Sequence, residues 1–254
     1  MNSRYFLVLL LALELVACRP AHPPPGDTPD LNPAAAGFLA AESDSLAIQL
    51  ADSVMVAMGG RANWDSTRYL TWNFFGMRTH VWDRYAERVR IDSHRDSLTY
   101  LINLRDSTGQ IYHNGLRLED AAATSLVLDG ISIWINDSYW LVLPFKLKDS
   151  GVRLRYLGES AAKDKSPADL IELTFKEVGD TPQNKYHVWI DQRSGLLVQW
   201  AYFRHQEDTQ PLFIQAWTDY RQYGKILLSG KRDDRELSHI AVLDSVPEHT
   251  FTTY

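Results

Sequence analysis

The side chains that could carry out hydrolytic or metal chemistry are present, but their spacing gives such chemistry little support. A serine hydrolase places its nucleophile in a Gly-x-Ser-x-Gly turn after a strand, and the sequence contains no such motif. The eight histidines are scattered, and no two of them have the spacing of a zinc peptidase. Asp92, His94 and Asp96 alternate and could converge on a metal, although a solvated turn explains the same residues. His80 and Asp83 would lie on opposite faces of a regular strand, so they make a poor catalytic pair. We therefore predict a protein without catalytic activity, metal or cofactor.

Cys18 has the clearest predicted chemistry, and it is the only cysteine in the 254 residues, so no internal disulfide can form. An apolar stretch over residues 5 to 13 precedes it, of signal-peptide length and too short to span a bilayer core of roughly 30 Å. Leu15-Val16-Ala17-Cys18 resembles a lipobox, where cleavage occurs before a cysteine that has received a diacylglycerol. We predict a lipoprotein signal peptide over residues 1–17 and a lipid anchor on Cys18, which would attach the protein to a membrane.

The segment that follows Cys18 has the composition of a linker. Residues 19 to 36 contain six prolines and almost no apolar side chain larger than alanine. Such a segment cannot bury enough apolar surface to pack, so we predict an extended tether over residues 18–40. Arg19 is not the aspartate that marks inner-membrane retention in some bacteria, which favours the outer membrane, facing the periplasm.

The remaining chain, residues 41–254, is long enough for one good core and contains all eight tryptophans. The whole chain has 26 basic and 32 acidic residues, a net charge of −6, and neither Lys nor Arg forms a run. An acidic domain lacks the field that draws proteins onto phosphate backbones, so nucleic acid is not an expected partner.

The apolar pattern of this domain begins as a helix and continues as strands. Leu46, Leu50, Val54 and Met58 recur every four residues, which predicts an amphipathic helix over residues 43–58. From residue 68 the period is two, as expected of strands with one buried face. Predicted strands cover residues 68–74, 79–85, 87–92, 98–105, 140–143, 152–159, 170–177, 186–191, 196–203, 212–220, 226–229 and 239–246.

One segment gives a mixed signal. Residues 118 to 135 are helical in pattern up to Leu128 and alternate like a strand after Gly130; we assign them to a helix. About a dozen strands, with turns between most of them, predict one mainly antiparallel domain with one or two helices. Because so long a sheet must curl, and the helix stripe must be covered, the expected architecture is an unclosed half-barrel with a helical lid.

Four stretches carry a resemblance to a known family: Met58-Gly59-Gly60 with Trp64, residues 134–152 (WINDSYWLVLPFKLKDSGV), residues 186–191 (YHVWID) and residues 217–221 (WTDYR). They resemble the outer-membrane lipoprotein-sorting-like (LolA/LolB-like) superfamily, and more closely bacterial lipoproteins of that fold. The resemblance spans roughly residues 43–246. It implies an unclosed β-barrel with a helical lid, a scaffold that serves carriers, lipidated acceptors and envelope-stress sensors.

Aromatic residues of the predicted sheet could line the concave face of such a half-barrel and hold an acyl chain or another apolar ligand. The candidates for this ligand site are Trp72, Phe74, Tyr100, Trp134, Trp189, Trp200, Phe213 and Trp217. The alternative is a core filled by the same rings, in which case the protein would be an envelope interaction or sensor module without a ligand. A cavity of some 300 Å³ or more would distinguish the two hypotheses, because only a ligand binder needs one.

Overall fold

The computed structural model describes residues 30–119 and 121–254, without the side chains of residues 121 and 122. The predicted signal peptide, Cys18 and most of the predicted tether lie outside these ranges. Within them the chain forms three α-helices: α1 (Ser45–Ala57), α2 (Arg61–Ser66) and α3 (Ala121–Val142). Short 3-10 helices cover Ala40–Glu42, Leu143–Phe145 and Glu248–Phe251. None of the helices described is both long and apolar enough to cross a membrane.

The first helix agrees with its prediction in extent, and of the predicted apolar stripe Val54 and Met58 are fully buried and Leu50 partly buried, while Leu46 is not. Ala47, Ala51, Val54 and Met55 are buried, whereas Leu46 is 43% exposed. The small alanines allow the helix to approach the sheet closely, so the buried face includes them and leaves Leu46 outside. Helix α1 ends before Gly59, where φ is 109° and an added Cβ would lie 2.6 Å from the Lys225 carbonyl oxygen.

Two antiparallel sheets form the rest of the fold. The strands of the larger sheet occur in the order β12-β13-β14-β1-β2-β3-β4-β5-β6. Their bounds are β1 Tyr69–Phe74, β2 Arg78–Asp83, β3 Arg88–Ser93, β4 Leu98–Asn103, β5 Thr108–His113, β6 Leu116–Arg117, β12 Thr218–Tyr223, β13 Ile226–Arg232 and β14 Arg235–Leu243. The smaller sheet has the order β11-β10-β9-β8-β7. Its strands are β7 Val152–Ala161, β8 Pro167–Phe175, β9 Lys185–Asp191, β10 Leu197–Phe203 and β11 Phe213–Ala216.

Trp217 joins the two sheets. It lies between β11, which pairs with β10, and β12, which pairs with β13. The backbone N–H of Trp217 donates to the Val198 carbonyl oxygen at 2.8 Å. The single strand predicted over residues 212–220 is therefore divided at a buried tryptophan and serves both sheets. The sheets curve around the helices without closing, which confirms the predicted half-barrel with a helical lid.

Helix α3 crosses the inner side of the half-barrel and contacts β3, β4, β5 and β13. The helix assigned to residues 118–135 is confirmed, but it continues to Val142, so the strand predicted over residues 140–143 is wrong. Ile131, Ile133 and Ile135 alternate as in a strand, yet burial follows the helical period, with Val127, Asp137 and Leu141 buried. Tertiary packing therefore decides the secondary structure of this segment.

Gly130 shows how closely α3 approaches the sheet. A Cβ at this position would lie 2.5 Å from Ile102 Cδ1 and 2.7 Å from Tyr100 Cδ1. These distances are shorter than van der Waals contact, so glycine is required for close packing and not for backbone freedom. The cost of a glycine inside a helix is thereby offset by burial of the apolar side chains around it.

The described part of the segment assigned to the tether lies against the domain. The Lys148 ammonium donates to the Asn32 carbonyl oxygen at 2.6 Å and to Asp52 Oδ1 at 2.7 Å. Further along, Ala35 N–H donates to the Lys148 carbonyl oxygen and Leu39 N–H to that of Val152, both at 3.0 Å. Residues 32 to 39 therefore belong to the packed structure, held by backbone pairing and by the packing of Phe38 against the core.

Candidate functional site

A cavity of about 490 Å³ lies between helix α3 and the inner face of the smaller sheet. Its wall is formed by the C-terminal half of α3, by strands β7 to β11 and by the loops at residues 146–150 and 178–184. The lining residues are mainly aromatic and apolar in the interior and polar at the exposed ends. The aromatic ones are Trp134, Tyr139, Trp140, Phe175, Tyr186, Trp200, Tyr202 and Phe213.

The sheet contributes its aromatic rings to the cavity through strand alternation. In the β9–β10 pairing, Val188 lies opposite Trp200 and Tyr186 opposite Tyr202, so these four side chains share one face. Phe213 of β11 lies opposite Tyr202 and continues the same face. The Tyr186 and Trp200 rings stack at 5.3 Å between centroids with an angle of 17°. A continuous aromatic surface results.

Trp140 is the main contribution of helix α3 to this wall. Its ring is edge-on to Trp200, with centroids 4.7 Å apart, and stacks on Phe213 at 5.6 Å. These contacts join the end of the helix to β10 and β11, so the cavity has a fixed end at Trp140. Such offset and edge-to-face pairs stabilise their arrangement by about 0.5–1.5 kcal/mol each beyond simple burial.

Tyr139 forms a second contact between helix and sheet. Its ring lies 5.5 Å from that of Tyr186 and 6.3 Å from that of Phe175. The hydroxyl oxygen is buried and has no hydrogen-bond partner among the described residues. Burial raises the pKa of Tyr139 well above its ordinary value, so the phenol keeps its proton and is a hydrogen-bond donor. The residue as a whole remains partly exposed.

Polar residues surround the open end of the cavity. Lys146 and Asp149 form an ion pair there, with Nζ and Oδ2 at 2.6 Å. Asn184 is buried and donates to Thr181 Oγ1 at 2.6 Å, while Gly179, Asp180 and Thr181 are exposed. An apolar interior with a few polar groups at the entrance is typical of small-molecule sites.

The structure brings three of the eight predicted ligand-site residues to the cavity. Trp134, Trp200 and Phe213 line it. Trp72, Phe74 and Trp217 do not line it: they are buried elsewhere in the main core, where Trp72 stacks on His80 and Trp217 lies against the Arg232 guanidinium. Tyr100 is buried in a second cluster beneath α3, where its ring lies next to Gly130.

Trp189 lies on the opposite face of the smaller sheet from Trp200. Its indole N–H donates to Ser160 Oγ at 3.2 Å, and the ring packs in a small cluster with Ala201 and Phe203. In the pairing of β9 with β10 Val188 lies opposite Trp200 and faces the interior, and since neighbouring residues of a strand alternate, Trp189 faces outward. A role for Trp189 in the cavity is therefore inconsistent with the structure.

Five aromatic lining residues were not predicted: Tyr139, Trp140, Phe175, Tyr186 and Tyr202. Tyr202 shares the alternation of Trp200, and that signal was available in the sequence. The others depend on which face of each element the helix covers. Alternation gives two faces and does not say which one is covered.

A buried polar cluster holds the other side of α3 to the larger sheet. Asp137 is fully buried; Arg78 donates to it from Nε at 2.7 Å and from Nη2 at 2.9 Å. His80, also fully buried, contacts Asp137 through Nε2 at 2.8 Å and stacks on Trp72 at 4.5 Å. Asp83 is on the opposite face, hydrogen-bonded by Arg68 and Arg88, as strand alternation predicts.

The charges of this cluster follow from its surroundings. Burial raises the pKa of Asp137, but the hydrogen bonds from His80 and Arg78 outweigh it and hold the pKa below the ordinary value. Burial lowers the pKa of His80, against the opposing effect of Asp137. An ionised Asp137 thus accepts from the Arg78 guanidinium and from a neutral imidazole. With Asp137 and His80 both fully buried, the cluster holds α3 on the sheet.

The residues considered for a metal have other partners. Asp92 accepts from Arg90 Nε at 2.8 Å and from Thr99 Oγ1 at 2.9 Å. His94 Nε2 lies 2.9 Å from Thr79 Oγ1. In the described ranges no group of three or more His, Cys, Asp or Glu side chains could hold a metal ion.

Comparison with known proteins gives neither a family nor a function. No family model matches the chain, and no curated protein matches it. Among six matching chains of known structure is a DUF1329 family protein from Desulfovibrio piger, with a TM-score of 0.43 and 11% identity over 81% of this chain and 96% of that one. Another is MucB, solved in complex with MucA(peri), with a TM-score of 0.27 and 18% identity over 80% of this chain and 66% of that one. Likenesses at these scores define neither the family of the chain nor what it binds.

Proposed function

We propose that the protein binds a hydrophobic ligand, a lipid or a lipoprotein acyl chain, in the cavity beneath helix α3, and that it does so without catalysis. The observation that carries this proposal is the aromatic-walled cavity of about 490 Å³. Small-molecule sites occupy about 300–1,000 Å³ and are mainly apolar with a few polar groups. A half-barrel filled by its own side chains, as the interaction-module alternative requires, would not retain this volume.

The arrangement of the rings supports the same function. The ring of Trp200 packs against the rings of Trp140 and Tyr186, so the cavity wall is formed without a ligand. A preformed apolar site avoids the entropic cost of ordering side chains on binding. The partly exposed Phe213 and Tyr202 extend this wall towards solvent and offer a way in.

We further propose that the protein acts in the cell envelope, attached through a lipid on Cys18 to the outer membrane and facing the periplasm. This part rests on the signal-like segment, the single cysteine and the proline-rich segment after it. Such an anchor would let the protein receive or hold a ligand near the membrane rather than carry it away.

Ligand binding is tested by purifying the full chain from its native membranes and recording native mass spectra after detergent removal. Bound lipid should appear as a mass increment that is lost in Ser132→Trp, where the indole would occupy the cavity. Ser125→Trp is the matched control, because Ser125 is also exposed on α3 but does not line the cavity. A chain that is always free of lipid, together with equal spectra for both variants, would favour the interaction-module alternative.

The anchor is tested by Cys18→Ser, which should move the protein from the membrane pellet to the soluble fraction and leave its circular dichroism spectrum unchanged. If the variant still pellets with membranes at high salt, the lipid-anchor proposal is wrong.

A further inference from the structure

We propose that the contact of His80 with Asp137 makes the cavity sensitive to pH: when His80 takes up a proton, the turn of α3 that carries Asp137 is displaced and the cavity holds its ligand less tightly. This inference rests on the proposed ligand-binding function and concerns its regulation. Three observations support it: a turn shared by cluster and cavity, the charge balance of the cluster, and an imidazole nitrogen without an acceptor.

One turn of α3 belongs both to the buried polar cluster and to the cavity wall. Asp137 of this turn contacts His80 Nε2 of β2 at 2.8 Å. Asn136 and Ser138, on either side of it in the chain, line the cavity, and so does Tyr139. The Asn136 amide also donates to Asp137 Oδ1 at 2.9 Å. A displacement of Asp137 from the sheet therefore moves cavity-lining residues with it.

The charges of the cluster balance only while His80 is neutral. The Asp137 carboxylate offsets the Arg78 guanidinium, which donates to it from Nε and Nη2. The other charged group that acts on His80 is Asp92 of β3, which lies on the opposite face of the sheet and already accepts from Arg90 at 2.8 Å. A proton on His80 would therefore add a buried positive charge without a counter-charge, which is costly.

The surroundings of His80 offer no acceptor for a second imidazole proton. Its neighbours across the strands, Trp72 of β1 and Ile91 of β3, carry no ionisable group. Tyr100, opposite Ile91 on β4, keeps its proton because burial raises its pKa to about 12. The buried His80 Nδ1 has no partner among the described residues. An imidazolium donates through both nitrogens, so its Nδ1 proton lacks an acceptor until the turn at Asp137 moves and admits water.

The direction of the pH effect follows from these surroundings. Burial lowers the pKa of His80 in the packed structure, against the opposing effect of Asp137, whereas a hydrated ring would have the ordinary pKa of 6.5. Acid therefore favours the displaced turn. A ligand that needs the packed wall is held fully above about pH 6.5 and less tightly below it. At about pH 5 the displaced state gains at most about thirtyfold relative to the packed one.

The test measures binding of the fluorescent apolar probe N-phenylnaphthylamine, which is uncharged in this range, to the full chain. No histidine is among the described residues that line the cavity, so the wall lacks the side chain that ordinarily titrates between about pH 5 and about pH 8. From about pH 7.5 to about pH 5 the dissociation constant should rise several-fold, while circular dichroism at each pH shows a folded chain. A constant that does not change would overturn the inference.

Two substitutions assign the effect to the cluster. His80→Phe keeps an aromatic ring in the stack but takes up no proton, so the dissociation constant should be the same at both ends of the range. Arg78→Gln removes the competing cation and lets an imidazolium pair with Asp137, so the rise should shrink. His113→Phe and Arg95→Gln, both at exposed positions, are the matched controls and should keep the full rise. A full rise in His80→Phe or in Arg78→Gln would contradict the inference.

A measurement on the unmodified protein avoids any effect of substitution on folding. Hydrogen–deuterium exchange at the carbon between the two imidazole nitrogens, read by mass spectrometry, reports the protonation and exposure of each histidine. Because the coupling of proton and ligand is reciprocal, saturating probe should slow exchange at His80 several-fold at about pH 6 and leave His113 unchanged. Equal exchange at His80 with and without probe would show that the two are not coupled.

Failure of the inference and failure of the proposed function give different results. If the probe binds at no pH and purified protein contains no lipid, the ligand-binding function is wrong. If the probe binds with the same dissociation constant throughout the range, the cavity is a ligand site and its proposed regulation by His80 is wrong.

Discussion

His80 of β2 and Asp137 of α3 are hydrogen-bonded through Nε2 and Oδ2 at 2.8 Å, although they lie 57 residues apart and neither is exposed. Together with Arg78, whose side chain is 19% exposed, they form a polar contact between helix and sheet. Because the imidazole is neutral, it donates through Nε2, and its Nδ1 has no partner among the described residues. The stack on Trp72 fixes the ring.

Removal of the carboxylate should be strongly destabilising. Asp137→Ala leaves the Arg78 charge half-buried and unpaired, and breaking a buried pair in this way costs about 3–5 kcal/mol. The free energy of unfolding, measured by urea titration with tryptophan fluorescence, should fall by that amount. Asp129→Ala, exposed on the same helix, should change it by less than about 0.5 kcal/mol. An equal effect of the two substitutions would mean that the cluster contributes little.

Stability should also depend on pH through His80. Burial lowers the pKa of folded His80 below its ordinary 6.5, so the unfolded chain takes up a proton first. The stability of the fold with a neutral His80 is therefore complete above about pH 6.5 and decreases as the pH falls towards the folded-state pKa. The pKa of Asp137 lies below 3.8, so its own contribution is lost only at lower pH. The urea midpoint should therefore fall between about pH 7 and about pH 5.

His80→Phe is the control for this pH effect, because phenylalanine can still stack on Trp72 but cannot titrate. We expect it to lose most of the slope between the same two pH values while showing a lower midpoint at neutral pH. A slope equal to that of the unmodified protein would assign the pH dependence to other groups.

The two faces of the smaller sheet should separate binding from stability. Phe213→Ala removes a partly exposed ring from the cavity wall, so ligand affinity should fall about tenfold, or about 1.4 kcal/mol, with a similarly small loss of stability. Trp189→Ala removes a buried ring from the opposite face, which should cost about 3–5 kcal/mol of stability and leave affinity unchanged. Titration with the fluorescent apolar probe N-phenylnaphthylamine measures the affinity of each variant, and urea unfolding measures its stability. A loss of affinity in Trp189→Ala alone would reverse the assignment of the faces.

Arg232 should not tolerate lysine. It is fully buried over the Trp217 ring at 3.4 Å, and its guanidinium donates to Ser229 Oγ and to the Trp140 carbonyl oxygen near the end of α3. Burial lowers its pKa to about 9. A lysine cannot span two acceptors with one planar group, so Arg232→Lys should cost about 1–3 kcal/mol. Thermal unfolding measures this loss of stability. Arg235→Lys, at an exposed position, is the control and should leave the melting temperature unchanged. Equal melting temperatures for both variants would contradict the role of Arg232.

Much of the architecture was accessible from local patterns. Alternation over residues 68–105 predicted strands β1 to β4 with errors of one or two residues. In a half-buried strand successive side chains lie alternately in the core and in water, which gives the sequence its period of two. The four-residue period of α1 and the glycines after it predicted the first helix in the same way. An antiparallel sheet of this length must curl, and the half-barrel follows from that constraint.

The cavity could not be predicted from those patterns. Trp189 and Trp200 look alike in the sequence, and only the pairing of β9 with β10 and the cover provided by α3 place one outside and the other in the wall. Residues 140–143 read as a strand on local grounds but form a helix end, because Trp140 packs between Trp200 and Phe213. The contact of Asp137 with His80 likewise depends on elements distant in the chain. Local composition specifies which residues avoid water, whereas packing between distant elements specifies where they leave a space.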